Sequence, residues 1–285
     1  MKWFAYNILF AIGYAAMMPK FLLRMKRRGG YRNRFADRFG RYPKDLIPPP
    51  SSVWVHAVSV GEVQVAGQFM RSVRKIAPNV RFVFSTTSST GWKIAEKEIQ
   101  SIPETTLIYN PLDFPPCVRR AFDAFNPRAI VLTETEIWPN LIHQCASHQV
   151  PLALVNARLS ERSLRKGKRF QSIMEEAARG FSAVAAQTQT DADRLSEFGA
   201  NQITVTGSVK FDIRPPEDKL QKGLRLGYLA QQGELTGEES VRRVLESGFD
   251  PIVALEAEMR ETEGRMAECA GDPEALKKLD RKSVV

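Results

Sequence analysis

The stretch Ala129-Ile-Val-Leu-Thr-Glu-Thr-Glu-Ile-Trp-Pro-Asn140 decides the architecture. Five apolar or β-branched residues run without a polar interruption, break into a carboxylate-rich turn, and give way at Trp138 to a helical pattern. A strand with no polar face is buried on both sides, which is the signature of a parallel sheet covered by helices rather than of an antiparallel sheet open to water. The same unit recurs on either side. Strand patterns occupy 53–58, 80–85, 106–109, 129–133, 151–156, 183–187 and 203–206, and helical patterns fill the gaps at 62–76, 91–98, 116–125, 138–148, 160–179 and 190–198. The alternation predicts an α/β fold, a doubly wound parallel sheet, over residues 53–214.

In such a sheet, ligands sit beyond the carboxyl ends of the strands. Those positions hold Ser59-Val-Gly-Glu62, the run from Thr86 to Thr90 and Gly91, Glu134-Thr-Glu136, Asn156-Ala-Arg158 and Gly207-Ser-Val-Lys210. Glu62 stands in the first turn of a helix, after a glycine that lets the chain turn off the strand, so the helix dipole favours its charged form. The residues alone favour a helix-capping glutamate over a proton acceptor. Strand alternation places Glu134 and Glu136 on one side and Thr135 on the other. The pair suits recognition of hydroxyls or simple solvation, and Lys210 suits an anion or the open surface. No dinucleotide fingerprint, phosphate loop or nucleophile elbow is present. His143, Cys145 and His148 fall about 200° and 140° apart on a helix, so no metal site is expected from them.

Composition narrows the partners. The 285 residues are 43% hydrophobic and 26% charged, with a net charge of +9. Between Lys20 and Asp45 ten basic side chains face only Asp37 and Asp45, and with Lys2 these account for the whole excess. An electroneutral body argues against nucleic acid. The basic run directly follows the uncharged residues 3–18, which predicts a membrane anchor over 1–24 with a basic juxtamembrane segment and linker over 25–52. Anionic lipids attract such a run by about 1 kcal/mol per charge, and positive charge behind the apolar segment holds the body on the cytoplasmic side. Three widely spaced cysteines, Cys117, Cys145 and Cys269, fit a reducing compartment. From about Pro215 the strand pattern ends, and residues 215–285 read as a helical tail.

Five segments together carry a family resemblance: His56-Ala-Val-Ser-Val-Gly-Glu62, Thr87-Ser-Ser-Thr-Gly91, Thr133-Glu-Thr-Glu-Ile-Trp-Pro-Asn140, Val155-Asn-Ala-Arg-Leu-Ser-Glu-Arg-Ser163 and Val205-Thr-Gly-Ser-Val-Lys-Phe-Asp212. In order and spacing they resemble the N-terminal domain of the bacterial 3-deoxy-D-manno-octulosonic acid (Kdo) transferases, over roughly residues 3–213. The resemblance implies a GT-B glycosyltransferase of the bacterial inner membrane, inverting and independent of metal or other cofactors. It would move Kdo from CMP-Kdo to a lipid A precursor (lipid IVA) in lipopolysaccharide synthesis. It implies that Glu62 is the general base, that Glu134 and Lys210 stabilise the transition state, and that Ser59, Gly61, Thr90, Gly91, Glu136, Asn156 and Arg158 meet the acceptor. The family's CMP-binding domain is expected soon after Asp212. Residues 217–279 instead resemble, weakly, an ABC-type ATPase of the F subfamily, so this chain by itself is expected to be inactive. The rival expectation is a membrane-surface lipid-binding module without turnover.

Overall fold

The computed structural model describes residues 2–28 and 34–212, together with Ala257, Arg260 and Glu261, which are helical. The expected helical tail therefore lies almost wholly outside the described residues. The chain divides into two compact units, Met1–Arg214 and Pro215–Val285.

Within the first unit seven parallel strands, β1 (Val53–His56), β2 (Phe82–Thr86), β3 (Thr105–Tyr109), β4 (Ala129–Thr133), β5 (Leu152–Ala157), β6 (Ala183–Ala186) and β7 (Ile203–Val205), form one sheet in the order β3-β2-β1-β4-β5-β6-β7. This is the doubly wound arrangement read from the sequence. The order reverses direction at the β1/β4 boundary, where Val53 pairs with Ala129 and His56 with Leu132. Connections leaving β1 and β4 diverge there and open a crevice.

Helices follow the strands: α1 (Lys2–Arg28) precedes the sheet, then come α2 (Val60–Ile76), α3 (Ser89–Ile99), α4 (Pro115–Phe125), α5 (Pro139–Ser147), α6 (Glu161–Lys168), α7 (Gln171–Arg179) and α8 (Gln189–Ser196). Their starts are written locally. Ser59, Ser88, Ser160 and Thr188 each accept a backbone N–H with a side-chain oxygen, and α4 and α5 begin on prolines whose missing N–H costs nothing there.

Alternate strand residues feed two cores. Val53, Val55, Phe82 and Phe84 pack on α2 and α3 through Val63, Ala66, Met70 and Ala95. Trp54, Val83, Ile130 and Leu132 face the opposite layer, with Phe122, Phe125 and Leu141.

Three features depart from the sequence reading. The helix expected over 160–179 is two helices, broken at Arg169 and Phe170, where Phe170 leaves helical geometry (φ −123°, ψ 36°) and α7 turns Ala177 and Ala178 into the core. The basic segment expected to lie beside the membrane is in part docked on the body: Arg38 is buried and donates to the Thr87 carbonyl at 2.6 Å, and Asp37 accepts the Tyr109 N–H at 3.1 Å and pairs with Arg34 at 2.9 Å. Gly40 (φ +70°) lets this segment turn against α4, where a side chain would run into the Cys117 carbonyl. Part of the basic run is thus structural. Third, α1 lies against the body along one face. Trp3 donates to Glu176, Tyr6 to Asp113 and Asn140 to Asn7, while Phe10 and Tyr14 pack edge-on against Phe114. Its window Tyr6–Leu23 is long and apolar enough to cross a membrane by length and composition, and Phe4, Leu9, Ile12 and Met17 of α1 are 62–73% exposed.

Candidate active site

At the end of β1 the chain turns into α2 through a capping box. Ser59 Oγ accepts the Glu62 N–H at 3.2 Å, and the Glu62 carboxylate accepts the backbone N–H groups of Val58 at 2.9 Å and Ser59 at 3.3 Å. Glu62 therefore does cap its helix. Capping also fixes its carboxylate, 7% exposed, at the strand end, with the buried Thr133 hydroxyl 3.4 Å from Oε2. The two readings of Glu62 are compatible, because lone pairs remain on each oxygen after capping.

From β4, Glu134 and Glu136 both reach this rim, by a route that strand alternation did not foresee. β4 ends at Thr133, and Glu134 takes a left-handed conformation (φ 57°). Its carboxylate pairs with Lys210 Nζ at 2.7 Å. Lys210 comes from the turn Val209–Asp212 beyond β7, and a Cβ placed on Gly61 would lie 3.9 Å from its Nζ. One cation thus stands between the α2 start and the β4 end.

Asn156, fully buried and also left-handed (φ 53°), connects these pieces. Its side-chain nitrogen donates to Glu134 Oε1 at 3.4 Å and its oxygen accepts the Val209 N–H at 3.1 Å.

Glu136 sits in a different field. Its carboxyl is pushed up to about 7 by burial and by the Glu62 charge, against the pull of a hydrogen bond from Trp138 at 2.9 Å, with the Glu134 charge raising it further. Carboxylates crowded into one partly buried site cannot all ionise cheaply. The site therefore holds groups poised differently within one rim, an arrangement able to accept a proton, hold one near neutral pH and meet an anion.

His56 was missed as a site residue. It is fully buried, and burial lowers its pKa to about 4 against a raising contact with the Ser85 carbonyl, so it is neutral. Its ring bonds Ser85 Oγ at 2.8 Å and lies edge-on to Trp138 at 5.7 Å, which supports the indole that holds Glu136. In the sequence it stands inside the strand expected over 53–58 and opens the His56–Glu62 segment of the family resemblance, but neither place marks it as a residue that supports the site. Of the other expected site residues, Gly91 lies at the start of α3, packed so closely under Thr86 and Ser88 that a side chain would collide with both hydroxyls. Thr90 and Arg158 are exposed. Neither makes a side-chain contact that joins it to the cluster. His143 lies tilted against Trp3, Cys145 is buried in the core, and His148 lies against Phe122, three separate places.

Residues 33–213 match the family model for 3-deoxy-D-manno-octulosonic-acid transferase (kdotransferase). The chain belongs to that family. The 3-deoxy-D-manno-octulosonic acid transferase of Bordetella pertussis is 37% identical over 205 residues, which cover 70% of this chain and 47% of the relative. That of Haemophilus influenzae is 32% identical over 195 residues, covering 67% of this chain and 45% of the relative. The chain thus spans less than half the length of either relative. Among solved structures, a UDP-GlcNAc 2-epimerase from Neisseria meningitidis is similar over 56% of this chain and 48% of its own, at a TM-score of 0.43 and 12% identity.

Proposed function

We propose that this chain is the acceptor-binding part of a GT-B Kdo transferase that moves Kdo from CMP-Kdo to a lipid A precursor, lipid IVA, at the cytoplasmic face of the bacterial inner membrane. The observation that carries the reading is the convergence of Glu62, Glu134, Glu136 and Lys210 at the β1/β4 switch point of a Kdo transferase family domain.

Glu62 takes the proton from the attacking sugar hydroxyl, its position held by the Val58 and Ser59 N–H groups. Inversion follows if that hydroxyl attacks from the side opposite the departing nucleotide. Lys210, released from Glu134 or shared with it, meets negative charge on the CMP phosphate or the Kdo carboxylate. Glu136 is the better hydrogen-bond donor to an acceptor oxygen when it carries its proton. Each role belongs to a side chain, and the scheme calls on no metal or cofactor. Cytidine recognition falls to a second domain, for which the unmatched half of the relatives leaves room.

The test uses a chimaera in which the C-terminal half of the Bordetella pertussis relative follows Asp212. Transfer to lipid IVA is expected, and Glu62→Gln lowers turnover by about 10²–10⁴ with acceptor binding kept. Turnover by Glu62→Gln at the parental rate would leave the glutamate with its capping role alone. Acceptor binding without any transfer by the parental chimaera would favour the non-catalytic lipid-binding module.

A further inference from the structure

The contact of α1 with the body creates a groove of about 810 Å³ between α1 and the α6–α7 pair, within the size range of ligand sites. Leu9 and Phe10 of α1 form one wall, and Phe170, Ile173 and Met174 form the other. Thr135 and Ile137, the chain neighbours of Glu134 and Glu136, also line the groove. Among the described residues that line it Lys166 is the one charged side chain. A second apolar hollow, of about 370 Å³, continues from Leu9 and Phe10 along α1 to Met17 and Phe21. The outward side of α1 is itself apolar, with Phe4 and Ile12 exposed.

We propose that this groove seats a hydrocarbon chain of the lipid acceptor, with Lys166 holding an anionic group on the acceptor's head. The proposal rests on the transferase reading above and adds to it where the acceptor's chain lies. Three observations select this occupant. An apolar trough that shares Leu9 and Phe10 with the second hollow along α1 offers an alkyl chain a largely apolar path, each buried methylene being worth about 0.8 kcal/mol. A single cation at the rim complements a phosphate-type headgroup and no cationic one. Thr135 and Ile137 join this lining, along the chain, to the carboxylates that would handle a sugar hydroxyl. The break at Phe170 gains a purpose here, since a continuous helix over 160–179 would not bend α7 away to form this wall.

The test is photolabelling of the full-length chain on phosphatidylethanolamine vesicles carrying a trace of phosphatidic acid with a diazirine near its acyl terminus, followed by peptide mapping. Adducts are expected on α7 and on Leu9 or Phe10, as well as on the outward residues Ile8 and Ile12. Met174→Trp, which displaces roughly two methylenes of the chain, should lower α7 labelling about tenfold while Ile8 and Ile12 label as before, a control that also reports an intact, membrane-bound chain. Lys166→Glu, on the exposed rim, should lower α7 labelling by phosphatidic acid but not by a diazirine diacylglycerol, which has no phosphate. Labelling confined to the outward face of α1, or α7 labelling indifferent to Met174→Trp, overturns the proposal. So do α7 adducts that join two copies of the chain. If the groove labels as expected but the chimaera transfers nothing to lipid IVA, the groove stands and the transferase reading falls; transfer with no labelled groove gives the reverse.

Discussion

Glu134 and Asn156 end neighbouring strands in the left-handed region, where a side chain costs about 1 kcal/mol or more and asparagine is among the better tolerated residues. Asn156 spends that strain on a clamp between Glu134 and the Val209 backbone. Substitution separates the two contributions. Asn156→Gly relieves the backbone but drops the clamp, so stability should change by under about 1 kcal/mol while the chimaera loses transfer. Asn156→Ala drops the same clamp and keeps the strain, and should be less stable than Asn156→Gly by about 1 kcal/mol in chemical denaturation. Equal stability of the two variants would show that strain and clamp are not separable there.

Glu136 gives a pH signature. Its folded pKa, about 7, lies above the unfolded carboxylate value, so the folded state binds the proton more tightly and the fold loses stability as pH rises from about 4.5 through 7. Glu136→Gln should be more stable than the parent at about pH 8, by on the order of 2 kcal/mol, with the advantage gone near pH 4. Urea titrations at the two pH values check it. The S-x-x-E capping box at Ser59 was legible because it is local. The Glu134–Lys210 pair was not, because nothing within either segment specifies the other.

At the scale of elements, all seven strands were legible, because a buried parallel strand announces itself by an unbroken apolar run. The break at Phe170 was hidden, because Gln171–Arg179 keeps helical spacing and its direction is set by packing against α5 and α6. Docking of residues 34–46 was hidden for a related reason: a basic residue whose charge is satisfied by a carbonyl, as in Arg38, looks in sequence like one awaiting a phosphate. α1 carries the clearest prediction. Asp113, pushed up to about 6 by burial, is held by the N–H groups of Asn140 and Leu141 and by the Tyr6 hydroxyl, so it joins the α5 start to α1. Tyr6→Phe should cost roughly 1.5–3 kcal/mol, the range for a bond to a charged group, and raise the Asp113 pKa further. Thermal unfolding near neutral pH, where Asp113 is ionised, reads the first effect, and carboxyl chemical shifts followed with pH read the second. An unchanged midpoint and an unchanged titration would mean that α1 leaves this surface in solution.

For the whole first unit, vesicle association should depend on both apolar and basic parts. The outward stripe of α1 supplies apolar area, while Arg34 and Arg38 are engaged by the body and add little to headgroup binding. Co-sedimentation with anionic vesicles should fall strongly in Ile8→Asp with Ile12→Asp, and moderately with salt, by about 1 kcal/mol per basic residue that meets the surface. Neutralising Arg38 should leave vesicle binding unchanged and instead lower the melting temperature.

The sheet order adds a consequence in time. Glu62 and Glu134 lie on chain segments made early, whereas the cation between the α2 start and Glu134 arrives only with the turn after β7. A growing chain that has laid down β1, β4 and β5 but not Lys210 holds an acidic knot with no counter-ion, and Asn156 has nothing at Val209 to grip. The turn after β7 therefore works as a latch: its arrival gives Glu134 its cation and Asn156 its backbone partner in one event.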